Sequence, residues 1–326
     1  MRSGSGRQGR AATQPVSLAG KHVATELDGM IAQSFNDALR GLQDDEQTND
    51  GRVHGTRKHL KRLRALARLL DALEKERLSD ADRFALRVVA RSLGRVRAPA
   101  AELAAWRRFA TSLDPARAAV VDQLLEKRRP PATRVQRRLQ RSERALAGLK
   151  QLVTTRQAMV NASEEYDHDA FLRNLRRGYH KCRRALRRAQ AAPGWQRLHA
   201  LRRASKYHRY QLQFLELFFA QRIKPERSKV ARLADKLGEH HDLGGIQRYL
   251  TAEATFQQQP GAPAMLKQLR RRIAVIETRC LELAGKSFRE RPGAFEARIR
   301  RYFDDTRLPL PNSFGMLAAF RGAASL

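Results

Sequence analysis

Residues Val53 to Leu70 read VHGTRKHLKRLRALARLL. At about 100° per residue, His54, Arg57, Lys61, Arg64 and Arg68 fall within a sector roughly 80° wide. Leu60, Leu63, Leu66 and Leu70 turn mostly away from that sector. The spacing predicts a helix that buries one face and presents a row of cations on another. The arrangement returns in LHALRRASKYHRY, where His199, Arg202, Lys206 and Arg209 repeat the spacing i, i+3, i+7, i+10, each 145 residues after its counterpart (199 − 54). Leu93-Gly94 and Leu237-Gly238 stand 144 residues apart (237 − 93), so a second anchor keeps nearly the same register. The two anchors together indicate an internal duplication of a helical unit.

A chain of 326 residues has room for one large domain or two of ordinary size, and 42% hydrophobic residues suffice for a sizeable core. Little Gly and Pro, with abundant Ala, Leu, Arg and Gln, favours helix. No run of alternating Val, Ile or Thr is present, so almost no strand is expected. The formal charge of +32, from 65 basic and 33 acidic residues, would repel itself in a compact fold unless a polyanion lies nearby. Nucleic acid, anionic lipid surfaces and inorganic or organic polyphosphates are the classes to weigh. The two cysteines, Cys182 and Cys280, lie far apart, which indicates neither a disulfide framework nor a CxxC metal site and fits a reducing cytosol. No apolar run approaches the ~20 residues of a membrane span, so no membrane partner is expected. The first 18 residues read as a flexible basic arm.

Helical spacing at Val23, Leu27, Ile31, Phe35 and Leu39 predicts a helix over 21–42, and DDEQTNDG (44–51) a loop into the His54 helix. Ser79, with Asp80 and Asp82 behind it, starts a helix expected to run through Leu93 and to end near Gly94; another is expected over 100–113. Asp114-Pro115 opens the next, Pro130-Pro131 closes it, and 133–156 reads as a long basic helix. The most basic helix is expected over 169–189, with an apolar seam of Leu172, Leu175, Tyr179, Cys182 and Leu186. Arg176, His180, Arg183 and Arg187 form a row along one flank of that seam, suited to bordering a solvent-filled cavity. Pro193-Gly194 breaks it, 195–220 carries the second His motif, and Pro225 is expected to start the next helix. Further helices are expected over 264–286 and 295–303.

HGTRKHLKRLR and HALRRASKYHRY resemble the two copies of the motif that names the CHAD domain, the conserved histidine α-helical domain. LRRGYHKCRRAL (175–186) is similar to the basic Tyr/Arg helix that opens that family's second half. The resemblance covers about residues 19–303. It implies an all-α fold of two pseudo-symmetric halves, each like a four-helix bundle, forming one domain with a central basic channel. The channel is expected to bind inorganic polyphosphate, and family members commonly associate with polyphosphate granules. On this basis 1–18 is the arm, 19–160 the first half, 161–303 the second half and 304–326 a tail. One departure stands out: where the family often has Arg-Asp after the first Leu-Gly, this chain has Arg97-Ala98, while the second half keeps Asp242. No ExExK strand of an attached triphosphate-tunnel domain occurs, so a stand-alone CHAD protein is expected.

Polyphosphate carries about one charge per phosphate and no bases to stack, so rows of Arg and Lys at helical spacing suit it: guanidinium forks pair phosphate oxygens, and ammonium groups add point charge. The residues expected to face it are His54, Arg57, Lys61, Arg64 and Arg68, then Arg176, His180, Arg183 and Arg187, then His199, Arg202, Lys206 and Arg209. A nucleic-acid-binding protein is the second reading, although aromatic residues make up only 6% of the chain and single-strand binders use aromatic platforms. An enzyme acting on polyphosphate is the third; the spacing offers no nucleophile or paired carboxylate beside either histidine, so no catalytic residue is assigned. His240-His241-Asp242 places ligand types on adjacent residues that point in different directions on a helix, and neither a metal nor a cofactor is expected.

Overall fold

The computed structural model describes residues 18–70, 79–111, 113–159 and 168–305, and among these residues every regular element is a helix. In chain order they are α1 (Leu18–Gln43), α2 (Asn49–Leu70), α3 (Asp80–Ala110), α4 (Pro115–Lys127), α5 (Ala132–Met159), α6 (His168–Ala191), α7 (Trp195–Phe218), α8 (Ala220–Ala252), α9 (Ala254–Gln257), α10 (Ala262–Ser287) and α11 (Pro292–Asp305). The expected arm and tail, and the boundary between halves near 160, fall almost wholly outside the described residues.

Local signals account for two of the helix starts. Thr48 Oγ1 accepts from the Gly51 amide at 3.2 Å, which starts α2 four residues before the periodic pattern does. Ser79 and Asp82 close a reciprocal capping box at the start of α3. The expected break near Gly94 does not occur, and α3 runs on through Pro99 to Ala110. Leu86, Val89, Leu93, Val96, Ala100 and Leu103 form one unbroken buried face across both residues. Packing of that face outweighs the roughly 3 kcal/mol that an interior proline costs a helix. Likewise α8 begins at Ala220 rather than at Pro225, which lies inside its early turns beside buried Ile223 and Val230. A single residue, Phe219 (φ −133°, ψ 50°), ends α7 and opens α8.

The helices repeat one packing scheme. In the first half α1, α2, α3 and α5 pack together, with short α4 on α3; in the second α6, α7, α8 and α10 do so, with short α9 on α8, and α11 covers α6. The halves join where α2 meets α7 and α3 meets α8, and one hydrophobic core runs through both. Its second half is richer in rings: Tyr179 stacks on Phe295 at 4.4 Å and packs edge-on against buried His208, pairs worth ~0.5–1.5 kcal/mol beyond area burial.

Candidate functional site

Helix α2 buries Leu60, Leu63 and Leu66, and α7 buries Leu198, Leu201 and Leu212, so the charged row of each turns toward the junction of the halves. The helices touch where Tyr210 Oη donates to the Lys58 carbonyl at 3.3 Å. Beside that contact, His54, Arg57 and Lys61 from α2 and Arg202 and Lys206 from α7 line one cavity of about 870 Å³. Its remaining walls come from α3, α8 and α10, including Gly94, Arg97, Glu102, Asp235, His241, Asp242 and Lys286.

Backbone and rings fix the lining. Arg57 Nη1 donates to the Ala90 carbonyl on α3 at 2.5 Å. Gly94 makes room for that guanidinium, because a Cβ there would lie 2.7 Å from Arg57 Nη1. At the mouth, Arg97 Nε donates to His54 Nδ1 at 3.4 Å. In the second half His199 Nδ1 faces His241 Nδ1 at 3.3 Å, and Trp195 stacks on both imidazoles. The Arg248 guanidinium lies 3.7 Å above Trp195. These contacts are counterparts, since His241 follows Arg97 by 144 residues (241 − 97), the offset of the two Leu-Gly pairs. Burial, and after it neighbouring cations, pushes His54 and His199 below the ordinary imidazole value and His241 down to about 3. All three are therefore neutral near pH 7 and serve as hydrogen-bonding rings rather than as charges.

The cavity holds cations that repel one another. Ten Arg and Lys side chains line it against four carboxylates, and three of those four are already paired. Glu102 pairs with Arg128, Asp235 lies 3.6 Å from Arg209, and Glu239 binds Lys236 at 2.7 Å and Arg272 at 2.9 Å. Burial, then the charges of Lys206, Arg57, Arg202 and Arg97, pushes Lys61 down to about 6. Burial and Arg202 push Lys206 down to about 8, a smaller fall because Asp242 and Asp235 act against it. Asp242 itself is pushed up by burial and held back by Arg202 and Lys206. The buried Nε of Arg202 has no hydrogen-bond partner among the described residues, which costs ~1–3 kcal/mol unless an acceptor reaches it. Convergent guanidinium and ammonium groups with spare donors make a receptor for phosphate oxygens.

The family model for the CHAD domain matches residues 29–251. The chain belongs to the CHAD domain family. Its fold is similar to that in the crystal structure of the CHAD domain from the plant Ricinus communis: the TM-score is 0.54 at 20% sequence identity, over 88% of this chain and 93% of that one. No curated protein matches the chain.

The cavity gathers some of the residues expected to face polyphosphate and leaves others outside its lining. The row on α2 leaves the cavity as it advances: His54, Arg57 and Lys61 line it, whereas Arg68 lines a different groove and Arg64 lies between the two. On α7, Arg202 and Lys206 line it, His199 touches it through His241, and Arg209 reaches its wall through Asp235. The α6 row lies elsewhere. Arg176, His180, Arg183 and Arg187 are absent from the cavity lining, and Arg176 pairs with Glu296 of α11 at 2.9 Å. Helix α6 carries cations on more than one side of its seam, and its sequence does not say which side α11 will cover. His240 turns away to Glu277, 3.4 Å from its carboxylate, so the His240-His241-Asp242 run does not converge on a common point. Sequence reasoning missed Arg97, Arg108, Arg232, Lys236, Arg279 and Lys286. Arg97 had a signal, its register with His241; Arg232, Lys236, Arg279 and Lys286 emerge only when α8 and α10 pack, and Arg108 only when α3 meets α8. Among the described residues no helix is long and apolar enough to cross a membrane.

Proposed function

We propose that this protein binds inorganic polyphosphate in the basic cavity between its halves, and acts by binding rather than by turnover. The observation that carries the reading is the convergence of Arg57, Lys61, Arg202 and Lys206 on one half-buried space where the lysines are held below their ordinary values. Such a cluster works against the fold until an anion with several charges enters. Among the described residues its lining rings are the imidazoles of His54 and His241 alone, so it offers no wide platform for stacked bases but many donors for bare phosphates. Association with polyphosphate granules follows from that affinity. The test is filter-binding competition at physiological salt between long polyphosphate and DNA or RNA of equal total charge, with orthophosphate release followed over hours. Polyphosphate should displace nucleic acid at much lower charge concentration, with no phosphate released. Equal competition would favour the nucleic-acid reading, and steady release would make the protein an enzyme.

A further inference from the structure

The row on α6 that does not reach the cavity has a neighbour that lines a space of its own. Arg177, Lys181, Arg184 and Arg188 each follow a member of the Arg176–Arg187 row by one residue, about 100° round the helix. They face a groove of about 900 Å³ between α6 and α7. From α7 come Arg197 and Arg203, and from the end of α2 comes Arg68. Among the described residues no carboxylate lines this groove, in contrast to the cavity. Gly178 lets the helices approach, because a Cβ there would collide with the Gln211 amide. Beyond that contact Ala185, Ala200 and Ala204 leave room between the long cationic side chains.

The duplication shows that the groove is peculiar to the second half. At the 145-residue offset, Arg197, Arg203 and Ala204 correspond to Arg52, Lys58 and His59. Arg52 is buried and engaged with the Leu42 carbonyl at 3.0 Å and with Asp45 at 2.7 Å. His59 sits 3.5 Å from Asp37. The first half thus places acids where the second has none among the described residues. Tyr207 is the aromatic ring in the groove, and the Arg68 guanidinium already lies 3.9 Å above it. That face is taken by a cation–π contact, which favours a bare phosphate chain over stacked bases.

We infer that the α6–α7 groove is a second phosphate-chain site, joined to the cavity along α2 so that one long polyphosphate occupies both. The inference rests on the polyphosphate reading of the cavity. The residues that join the two are on one helix: Arg57 and Lys61 line the cavity, Arg68 lines the groove, and the 11 residues from 57 to 68 span roughly 16 Å of helix. Arg64 stands between them, its guanidinium 5.8 Å from the Tyr207 ring. A chain held at one site is presented to the other at high effective concentration, so affinity rises with chain length once both are spanned.

The test compares two variants that remove equal charge from one helix, Arg184→Gln/Arg188→Gln in the groove and Arg183→Gln/Arg187→Gln outside it. Binding of triphosphate and of polyphosphates of increasing length is measured by calorimetry at fixed salt, with circular dichroism to compare helicity. The groove variant should bind triphosphate like the wild type yet lose about tenfold in affinity for long chains, while the outside variant stays within about twofold at every length. Indistinguishable variants would overturn the groove with the cavity reading intact. Loss of duplex DNA binding in the groove variant, with long-chain polyphosphate binding unchanged, would overturn it in favour of a nucleic-acid groove. A wild-type protein that binds no polyphosphate of any length would overturn both readings together.

Discussion

The two walls of the cavity descend from one repeated unit and differ at three equivalent places. Lys61 and Lys206 occupy the same register, yet Lys61 is pushed down to about 6 and Lys206 only to about 8. The difference is acid: Asp242 and, after it, Asp235 act on Lys206, and the position equivalent to Asp242 on the first wall is Ala98. Gly94 lies under the Arg57 guanidinium, whereas a Cβ on Gly238 would meet open space. His54 leans on a cation, Arg97, whereas His199 leans on a neutral ring inside a Trp195 stack. A duplicated scaffold can therefore keep its helices and its basic rows while a change in neighbouring acids alters how firmly each half holds its protons.

The comparison breaks first at the arginines. Arg57 and Arg202 are the equivalent guanidinium groups, and each charge-assisted contact to phosphate is worth ~1.5–3 kcal/mol. Each single change to Gln should lower polyphosphate affinity about tenfold and the double change more than about 100-fold, read by calorimetry at fixed salt. A loss carried entirely by one arginine would mean that the walls share a fold but not a site.

Protons give the next largest effect. A bound polyanion favours charged Lys61, so binding at pH 7 should take up nearly one proton at Lys61 and only about a tenth of one at Lys206. Affinity should fall roughly tenfold between pH 6 and pH 7.5, as Lys61 loses its proton in the free protein but not in the complex. Calorimetry in buffers of different ionisation enthalpy measures the uptake directly. Lys61→Met should remove nearly all of it, and equal uptake in Lys61→Met and Lys206→Met would refute the asymmetry. Without ligand the sign runs the other way for folding. The unfolded chain keeps the Lys61 proton up to the ordinary lysine value and the native protein releases it near 6, so stability should rise with pH across that window.

Supplying the missing acid sharpens the comparison. Ala98→Asp should raise Lys61 toward the value of Lys206, reduce proton uptake on binding and weaken polyphosphate affinity by about three- to fivefold through added repulsion. An unchanged titration of Lys61, followed by NMR of its Nζ, would show that Asp242 is not what separates the walls.

The smallest effect lies at the paired glycines. Alanine in a helix interior is favoured over glycine by ~0.5–1 kcal/mol, so Gly238→Ala should stabilise the protein by about that amount in urea denaturation. Gly94→Ala should gain less, because Arg57 must swing off the Ala90 carbonyl, and only this variant should lose affinity for polyphosphate. Equal gains in stability with unchanged binding would mean that Arg57 does not depend on Gly94.

Much of this architecture is legible in the spacing of residues along the chain. The seam residues Leu60, Leu63, Leu198 and Leu201 are buried as their spacing implies, and the charged rows beside them reach the junction of the halves. Where spacing and structure part, packing decides. Gly94 looks like a helix end, yet a continuous apolar face carries α3 through it and through Pro99. Arg176, His180, Arg183 and Arg187 do not line the cavity, because which side of α6 meets another element depends on where α11 lies.

The sequence by itself determined the class of fold, the duplication and which side chains share a helical face, because periodicity is a local property of a chain whose residues turn through about 100° each. Tertiary structure decided which faces meet. That choice gathered Arg57, Lys61, Arg202 and Lys206 around one space, gave Asp242 to one wall only, and set the α6 cations over a separate groove. The proton affinities of Lys61 and Lys206 belong to this second category. Desolvation and the charge of neighbours depend on distances in space between residues far apart in sequence, and no pattern within a single helix records them.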